Sequence, residues 1–123
     1  MLGIDVVRIS RLERLIQKFG IKGLRRFLNQ HEIMLSSRQD TYNCARIAGF
    51  WAAKEALSKA LGCGIGAEVG FLDMSITLDS KGAPHIALDS QKMSYFQAQK
   101  PFAHIALSIT HDADIAIACV ALR

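Results

Sequence analysis

Glu55 and Lys59 lie four residues apart in the run Lys54-Glu55-Ala56-Leu57-Ser58-Lys59. On a helix this spacing puts a carboxylate and an ammonium on one face. One reading is an ordinary i, i+4 ion pair worth about 0.2–0.5 kcal/mol. The other starts from the surroundings, which are mostly alanine and apolar residues. That face is then partly buried, and a carboxylate withdrawn from water needs a partner or a metal. Asp5 is a second carboxylate, in the otherwise apolar run Met1 to Val7. It either caps a strand end or joins Glu55 in a pair of hard oxygen ligands. Mg²⁺ prefers such a pair when substrate phosphates complete its shell. Lys59, one turn beyond Glu55, would then neutralise a phosphate oxygen. His111 follows Ser108-Ile109-Thr110 at a strand end and is either simply exposed or part of a site. His31, His85 and His104 have no clear partners and are read as structural. Gly62 to Gly66 follows a helix and precedes no Gly-Lys-Ser/Thr, so it is a helix stop and not a phosphate loop.

These residues need elements to position them. Met1 to Val7 reads as a strand delivering Asp5. Ser10-Arg11-Leu12-Glu13 has the form of a capping box, and Leu12, Leu15, Ile16 and Phe19 follow the stripe of a helix face that ends at Gly20. Arg11, Arg14 and Lys18 fall on its exposed side. Asn29-Gln30-His31-Glu32 resembles a second cap before a short helix, and Ser36 to Thr41 reads as a loop. Tyr42 to Leu61 predicts one long alanine-rich helix. Leu72, Met74, Ile76 and Leu78 then alternate with polar residues as in a half-buried strand. A turn over 80–84 returns the chain through 85–88, 89–97 predicts a short helix, and 103–110 and 115–122 predict strands joined at 111–114. Helices gather early and strands late. The fold class is therefore α+β, a long central helix packed with an antiparallel sheet.

The chain has 123 residues, enough for one core, and the expectation is a single domain over 1–123. Half of the residues are hydrophobic, so the core is dense or apolar surface is buried between subunits. No apolar run approaches the ~20 residues of a membrane span, and the start lacks the basic leader of a signal peptide. Three cysteines without CxxC spacing form neither a disulfide framework nor a zinc site, which fits a reducing cytoplasm. The net charge is +4, and between Arg8 and Arg26 seven basic residues face one acid, Glu13. Such a one-sided field attracts an acidic partner. Nucleic acid, anionic lipid and an acidic protein all satisfy that rule. The first helix shows no exposed aromatic of the kind a single-strand binder uses.

Three segments together resemble one family. Gly3-Ile4-Asp5-Val6-Val7, the helix Ala52-Ala53-Lys54-Glu55-Ala56-Leu57-Ser58-Lys59-Ala60-Leu61-Gly62 and the element Ser108-Ile109-Thr110-His111 resemble the holo-[acyl-carrier-protein] synthases in order, spacing and total length. The resemblance implies a 4'-phosphopantetheinyl transferase-like fold. It also implies transfer of 4'-phosphopantetheine from coenzyme A to a serine of an acyl carrier protein, in support of fatty acid biosynthesis. Asp5 and Glu55 then correspond to Mg²⁺-binding carboxylates, and Lys59 to the lysine beside the coenzyme A pyrophosphate. Asp5, Glu55 and Lys59 are thus the implied catalytic set. His111 and Ser108 correspond to a coenzyme A pocket completed across a subunit boundary in a compact homotrimer. Arg11, Arg14, Lys18 and Arg25 correspond to the surface that docks the carrier protein. One departure is that Gly49-Phe50-Trp51 stands where many members have Gly-Arg-Phe. Arg46, one turn earlier, is a candidate for the substitute cation and joins the coenzyme A set. Neither nucleic acid nor a membrane is an expected partner. The alternatives are a basic module that binds nucleic acid without catalysis and a Mg²⁺-dependent nucleotide hydrolase.

Overall fold

A computed structural model describes all residues, Met1–Arg123. Strand β1 (Leu2–Arg8) leads into helix α1 (Ile9–Phe19), a single helical turn α2 (Ile21–Leu24) and a short helix α3 (Gln30–Leu35). A two-residue hairpin, β2 (Ser37–Arg38) with β3 (Thr41–Tyr42), precedes the central helix α4 (Cys44–Ala60). The remainder is the hairpin β4 (Met74–Leu78) and β5 (Pro84–Leu88), helix α5 (Ser90–Gln99), and the long strands β6 (Ile105–Asp112) and β7 (Ile115–Leu122). The principal sheet is antiparallel with order β1-β7-β6, so the first strand pairs with the last. Asp5 stands opposite Ala118 in that register.

Helix α4 runs about 25 Å at 1.5 Å per residue and is the spine of the core. Asn43 caps it by accepting the Arg46 N–H at 3.0 Å. Eleven of its residues are buried, because the sheet covers one side and the α1–α3 segment the other. Gly3 is what lets β1 approach this helix. A Cβ there would run into the Ala56 carbonyl oxygen and come within 2.7 Å of the Ala60 nitrogen. Both are backbone atoms of a buried helix and have nowhere to go. Gly3→Ala is therefore expected to lower stability by about 3 kcal/mol or more, read as a fall in the urea midpoint at unchanged slope. A wild-type midpoint would refute the close approach.

The single long helix, the antiparallel sheet and the strand positions follow the sequence expectation. Four local readings are corrected. Ser10 does not cap α1. Arg8 occupies the cap position without a side-chain bond, and the helix is instead capped by Asp114 from the β6–β7 turn. Phe19 lies outside the inward stripe. It is 42% exposed, flanked by Lys18 and Arg26 over its ring, because Gly20 turns the chain (φ 58°) before another layer can cover it. An exposed aromatic is thus present on this basic segment after all. Leu72 is exposed in a 3₁₀ turn (Phe71–Asp73), and the alternating strand starts at Met74. Ser36 to Thr41, read as a loop, and Tyr42, read as the start of the long helix, instead contain the small β2–β3 hairpin, and α4 begins at Cys44.

The outer face of the principal sheet has no layer on it. Gly3, Val7, Ala116, Ala118, Val120 and Leu122 point inward and are buried. Leu2, Ile4 and Val6 point outward at 73%, 62% and 60% exposure, beside Ile115 and Cys119. No helix is long and apolar enough to cross a membrane.

Candidate active site

The accessible seam of α4 is narrow. Trp51, Glu55 and Lys59, spaced i, i+4 and i+8, are the residues of its middle and last turns that reach the surface, while their helical neighbours are buried. Strand β1 lays Asp5 against this seam, because the inward phase that buries Gly3 and Val7 also turns Asp5 toward α4. Lys59 donates from Nζ to Asp5 Oδ1 at 3.0 Å and to the Ile4 carbonyl at 3.1 Å. The ion pair that Lys59 makes is thus with Asp5 across the fold and not with Glu55 along the helix.

Glu55 is half-buried, and its carboxyl is pushed above the usual range. Burial is the main cause and the nearby charge of Asp5 the second, while Lys59 and Arg11 act in the opposite direction. The two carboxylates are close enough to repel. That is the electrostatic condition a divalent cation relieves. No third His, Cys, Asp or Glu joins them. A set of two hard carboxylates suits Mg²⁺, which keeps waters and takes substrate phosphate oxygens, better than it suits a metal caged by protein alone.

Arg11, on the first turns of α1, places its guanidinium 5.1 Å from the centre of the Trp51 ring, an attractive cation–aromatic geometry. It therefore stands at the lip of the Asp5–Glu55–Lys59 cluster. Arg14 and Lys18 project to solvent further along α1, and Arg25 is exposed after α2. Arg8, Arg11 and Arg14 line one groove with Val6, Val7 and Ile115.

Of the residues matched to coenzyme A, Lys59 belongs to the carboxylate cluster and the others lie elsewhere on the chain. Arg46 and His111 share a cleft of about 210 Å³ with Asn43, Gly49 and Phe50. Arg46 is fixed by donating to the Leu35 carbonyl at 2.7 Å. Phe50 is buried at the cleft wall, so the side chain at that position contributes surface and no charge. Ser108 is not in the cleft. Three residues from His111 on the same strand, it faces the opposite, uncovered side of the sheet. From Arg46 to Glu55 and Lys59 the helix rises about 14–20 Å, so within one chain the cleft and the carboxylates are separate features. His31, His85 and His104 are exposed, and His85 pairs with Asp79 at 3.2 Å in the β4–β5 turn.

Sequence reasoning missed one buried ion pair. Lys54 and Glu32 are both fully buried and 2.7 Å apart. Glu32 was visible only as a helix-capping residue, a role it also plays by accepting from the Asn29 N–H.

The family model described as the 4'-phosphopantetheinyl transferase superfamily matches residues 1–120. A curated relative from Wolinella succinogenes, named holo-[acyl-carrier-protein] synthase, is 51% identical over the whole chain and 97% of its own length. One of the same name from Sulfurimonas denitrificans is 48% identical over 100% of this chain and 94% of its own. Among solved structures, the Helicobacter pylori holo-[acyl-carrier-protein] synthase in complex with coenzyme A superposes over 100% of both chains with TM-score 0.90 and 46% identity. The Neisseria meningitidis enzyme follows at TM-score 0.84 and 30% identity, covering 99% of this chain and 96% of its own. An open seam carrying Glu55 and Lys59, an Asp5 laid against it by the first strand, and full-length agreement in sequence and fold place this chain in the 4'-phosphopantetheinyl transferase superfamily, among the holo-[acyl-carrier-protein] synthases.

Proposed function

We propose that the chain, working as a single domain, transfers 4'-phosphopantetheine from coenzyme A to a serine of an apo-acyl carrier protein and releases adenosine 3',5'-bisphosphate. The convergence of Asp5, Glu55 and Lys59 on the accessible seam of α4 carries this reading. Asp5 and Glu55 would hold Mg²⁺, which supplies positive charge to the pyrophosphate oxygens as the phosphorus is attacked. Lys59 sits beside both carboxylates with half of its side chain open to solvent, placed to neutralise the charge growing on the leaving phosphate. The serine oxygen forms the new bond to the β-phosphorus while the bridging P–O bond breaks. The serine proton passes to a carboxylate or water of the same cluster. The basic α1, with Arg11, Arg14 and Lys18, and Arg25 beyond it, forms the dock for the acidic carrier, where charge speeds encounter and sets orientation. The three cysteines are free, which accords with a cytoplasmic enzyme. A nucleic-acid module or a nucleotide hydrolase accounts for the basic helix or the carboxylates separately. Transfer to an acidic carrier uses both.

Incubation with coenzyme A, Mg²⁺ and apo-carrier should shift the carrier's mass by one phosphopantetheinyl group. Coenzyme A cleavage with no shift in carrier mass would instead favour the hydrolase.

The active form on this reading is a homotrimer. The uncovered apolar face of β1 and β7 supplies the surface. The distance of the Arg46–His111 cleft from the carboxylates supplies the reason, since a neighbouring subunit's cleft, with Ser108 near the shared face, can complete the site. Mixing Glu55→Gln with His111→Ala subunits should restore part of the transfer that each variant lacks, because some sites receive two intact halves. Sedimentation as a stable monomer at assay concentration would contradict the trimer.

A further inference from the structure

The N-terminus of the docking helix is held by a residue from the far end of the chain. The first turn of any helix presents N–H groups without intrahelical partners. In α1 two of them are satisfied by one residue, Asp114, in the turn between β6 and β7. Ile9 N–H donates to the Asp114 carbonyl at 2.8 Å. Ser10 N–H donates to Asp114 Oδ1 at 2.8 Å, and the Ser10 hydroxyl to Oδ2 at 2.7 Å. Ala113, immediately before, takes a left-handed φ of 50°. An alanine adopts that conformation at some cost, and surrounding structure must hold it there.

We propose that Asp114 is a positioning residue for carrier docking: from the β6–β7 turn it fixes the first turn of α1, and with it the aim of Arg11 and Arg14. The inference rests on the docking reading of α1 given above. Arg11 follows the doubly anchored Ser10 directly, and Arg14 lies one turn on. The next residue after Asp114, Ile115, pairs with Arg8 and lines the same groove as the two arginines. One turn therefore sets the helix end and the groove floor together.

Electrostatics alone makes the opposite prediction, which gives the test its power. Asp114 is an acid near Arg8 and Arg14. Removing its charge makes the groove more positive and, if only charge mattered, would strengthen binding of an acidic carrier. If positioning matters, loss of the cap frees the helix end and weakens binding. Asn at this position separates the two, since its Oδ1 can accept from the Ser10 N–H and its amide can donate to the Ser10 hydroxyl, without the charge.

The experiment is steady-state transfer by the full chain, with apo-carrier and coenzyme A varied in turn. Asp114→Ala should raise the KM for carrier about tenfold, given how steeply rates respond to misplacement of about 1 Å. The KM for coenzyme A and the kcat at saturating carrier should stay near wild type. Asp114→Asn should restore the wild-type carrier KM. If Asp114→Ala does not fold, Ser10→Ala, which deletes only the hydroxyl bond, should show a smaller rise of the same kind. An unchanged or lowered carrier KM in Asp114→Ala overturns the proposal. So does an Asp114→Asn as impaired as the alanine variant, or a parallel loss in kcat and both KM values. The Arg11→Glu, Arg14→Glu double variant is run alongside. If it leaves the carrier KM unchanged at low salt, the docking reading itself fails. If it raises that KM while Asp114→Ala does not, only the role of Asp114 is lost.

Discussion

Glu55→Gln should abolish phosphopantetheine transfer while leaving the protein as stable as wild type or more so. Gln keeps the shape of Glu55 and removes the charge that the metal site needs. Losing such a ligand costs about 4 kcal/mol of charge stabilisation, roughly a thousandfold in rate. Stability moves the other way. Burial, and after it the charge of Asp5, raises the Glu55 carboxyl above its ordinary value. The folded chain therefore binds that proton more tightly than the unfolded chain does. At neutral pH the ionised side chain subtracts from stability, and this cost is relieved as pH falls through the raised value toward 4.5, the ordinary one. In Glu55→Gln the cost is absent at every pH. Its Tm at pH 7 should match or exceed that of wild type, and the gap should close on acidification. Asp5→Asn should lose transfer similarly without the gain in Tm, since Asp5 is paired with Lys59. Mg²⁺ should raise the Tm of wild type and of neither variant. Wild-type transfer that persists after exhaustive EDTA treatment would defeat the metal assignment.

The parts of this site that were legible in the sequence are those whose signals are local. Glu55 and Lys59 share a helix whose alanine content and spacing are read along the chain. Asp5 stands out as the acid of an apolar strand. The strand pattern of 103–122 appears because each residue alternates against its own neighbours. What was not legible depends on partners far away in sequence. Ser10 and Glu13 have the letters of a capping box, yet a carboxylate 104 residues away takes the serine. Phe19 fits an apolar period, but whether a stripe is covered depends on which elements lie over it. In β1 the outward phase is the more apolar one, Leu2, Ile4 and Val6, while Gly3 and Asp5 turn inward. A pattern read for burial within one chain would reverse that strand. The α4 contact fixes it, because only Gly3 permits the approach. Ser108 and His111 read as one motif although their side chains leave opposite faces of β6, because three residues along a strand change sides.

Breaking the Lys54–Glu32 pair should cost more stability than any other single polar change in the chain. Both side chains are fully buried, and each side-chain nitrogen and oxygen of the pair has a hydrogen-bond partner. Lys54 Nζ donates to Glu32 Oε1 and to the Phe27 carbonyl, each at 2.7 Å. Glu32 also accepts the Asn29 N–H at 2.8 Å and the Ile76 N–H at 2.7 Å. One ion pair thus ties α4 to the chain after α2, to α3 and to β4. Burial lowers the Lys54 pKa, with Glu32 opposing that shift, so the charged form depends on its partner. Lys54→Met leaves a carboxylate in the core without its cation and the Phe27 carbonyl without a donor. Glu32→Gln retains one good acceptor but turns an amide N–H₂ toward another donor. Each should destabilise by about 3–5 kcal/mol. The double variant should cost less than the sum, with a coupling of about 1.5 kcal/mol or more. The readout is urea unfolding of all four proteins. Helix geometry turns Lys54 about 100° from Glu55, so the residue that anchors α4 points into the core while the next one faces the open seam. Additive losses, with coupling below about 0.5 kcal/mol, would mean that the two charges are held independently and that the pair does not fix the helix that presents Glu55 and Lys59.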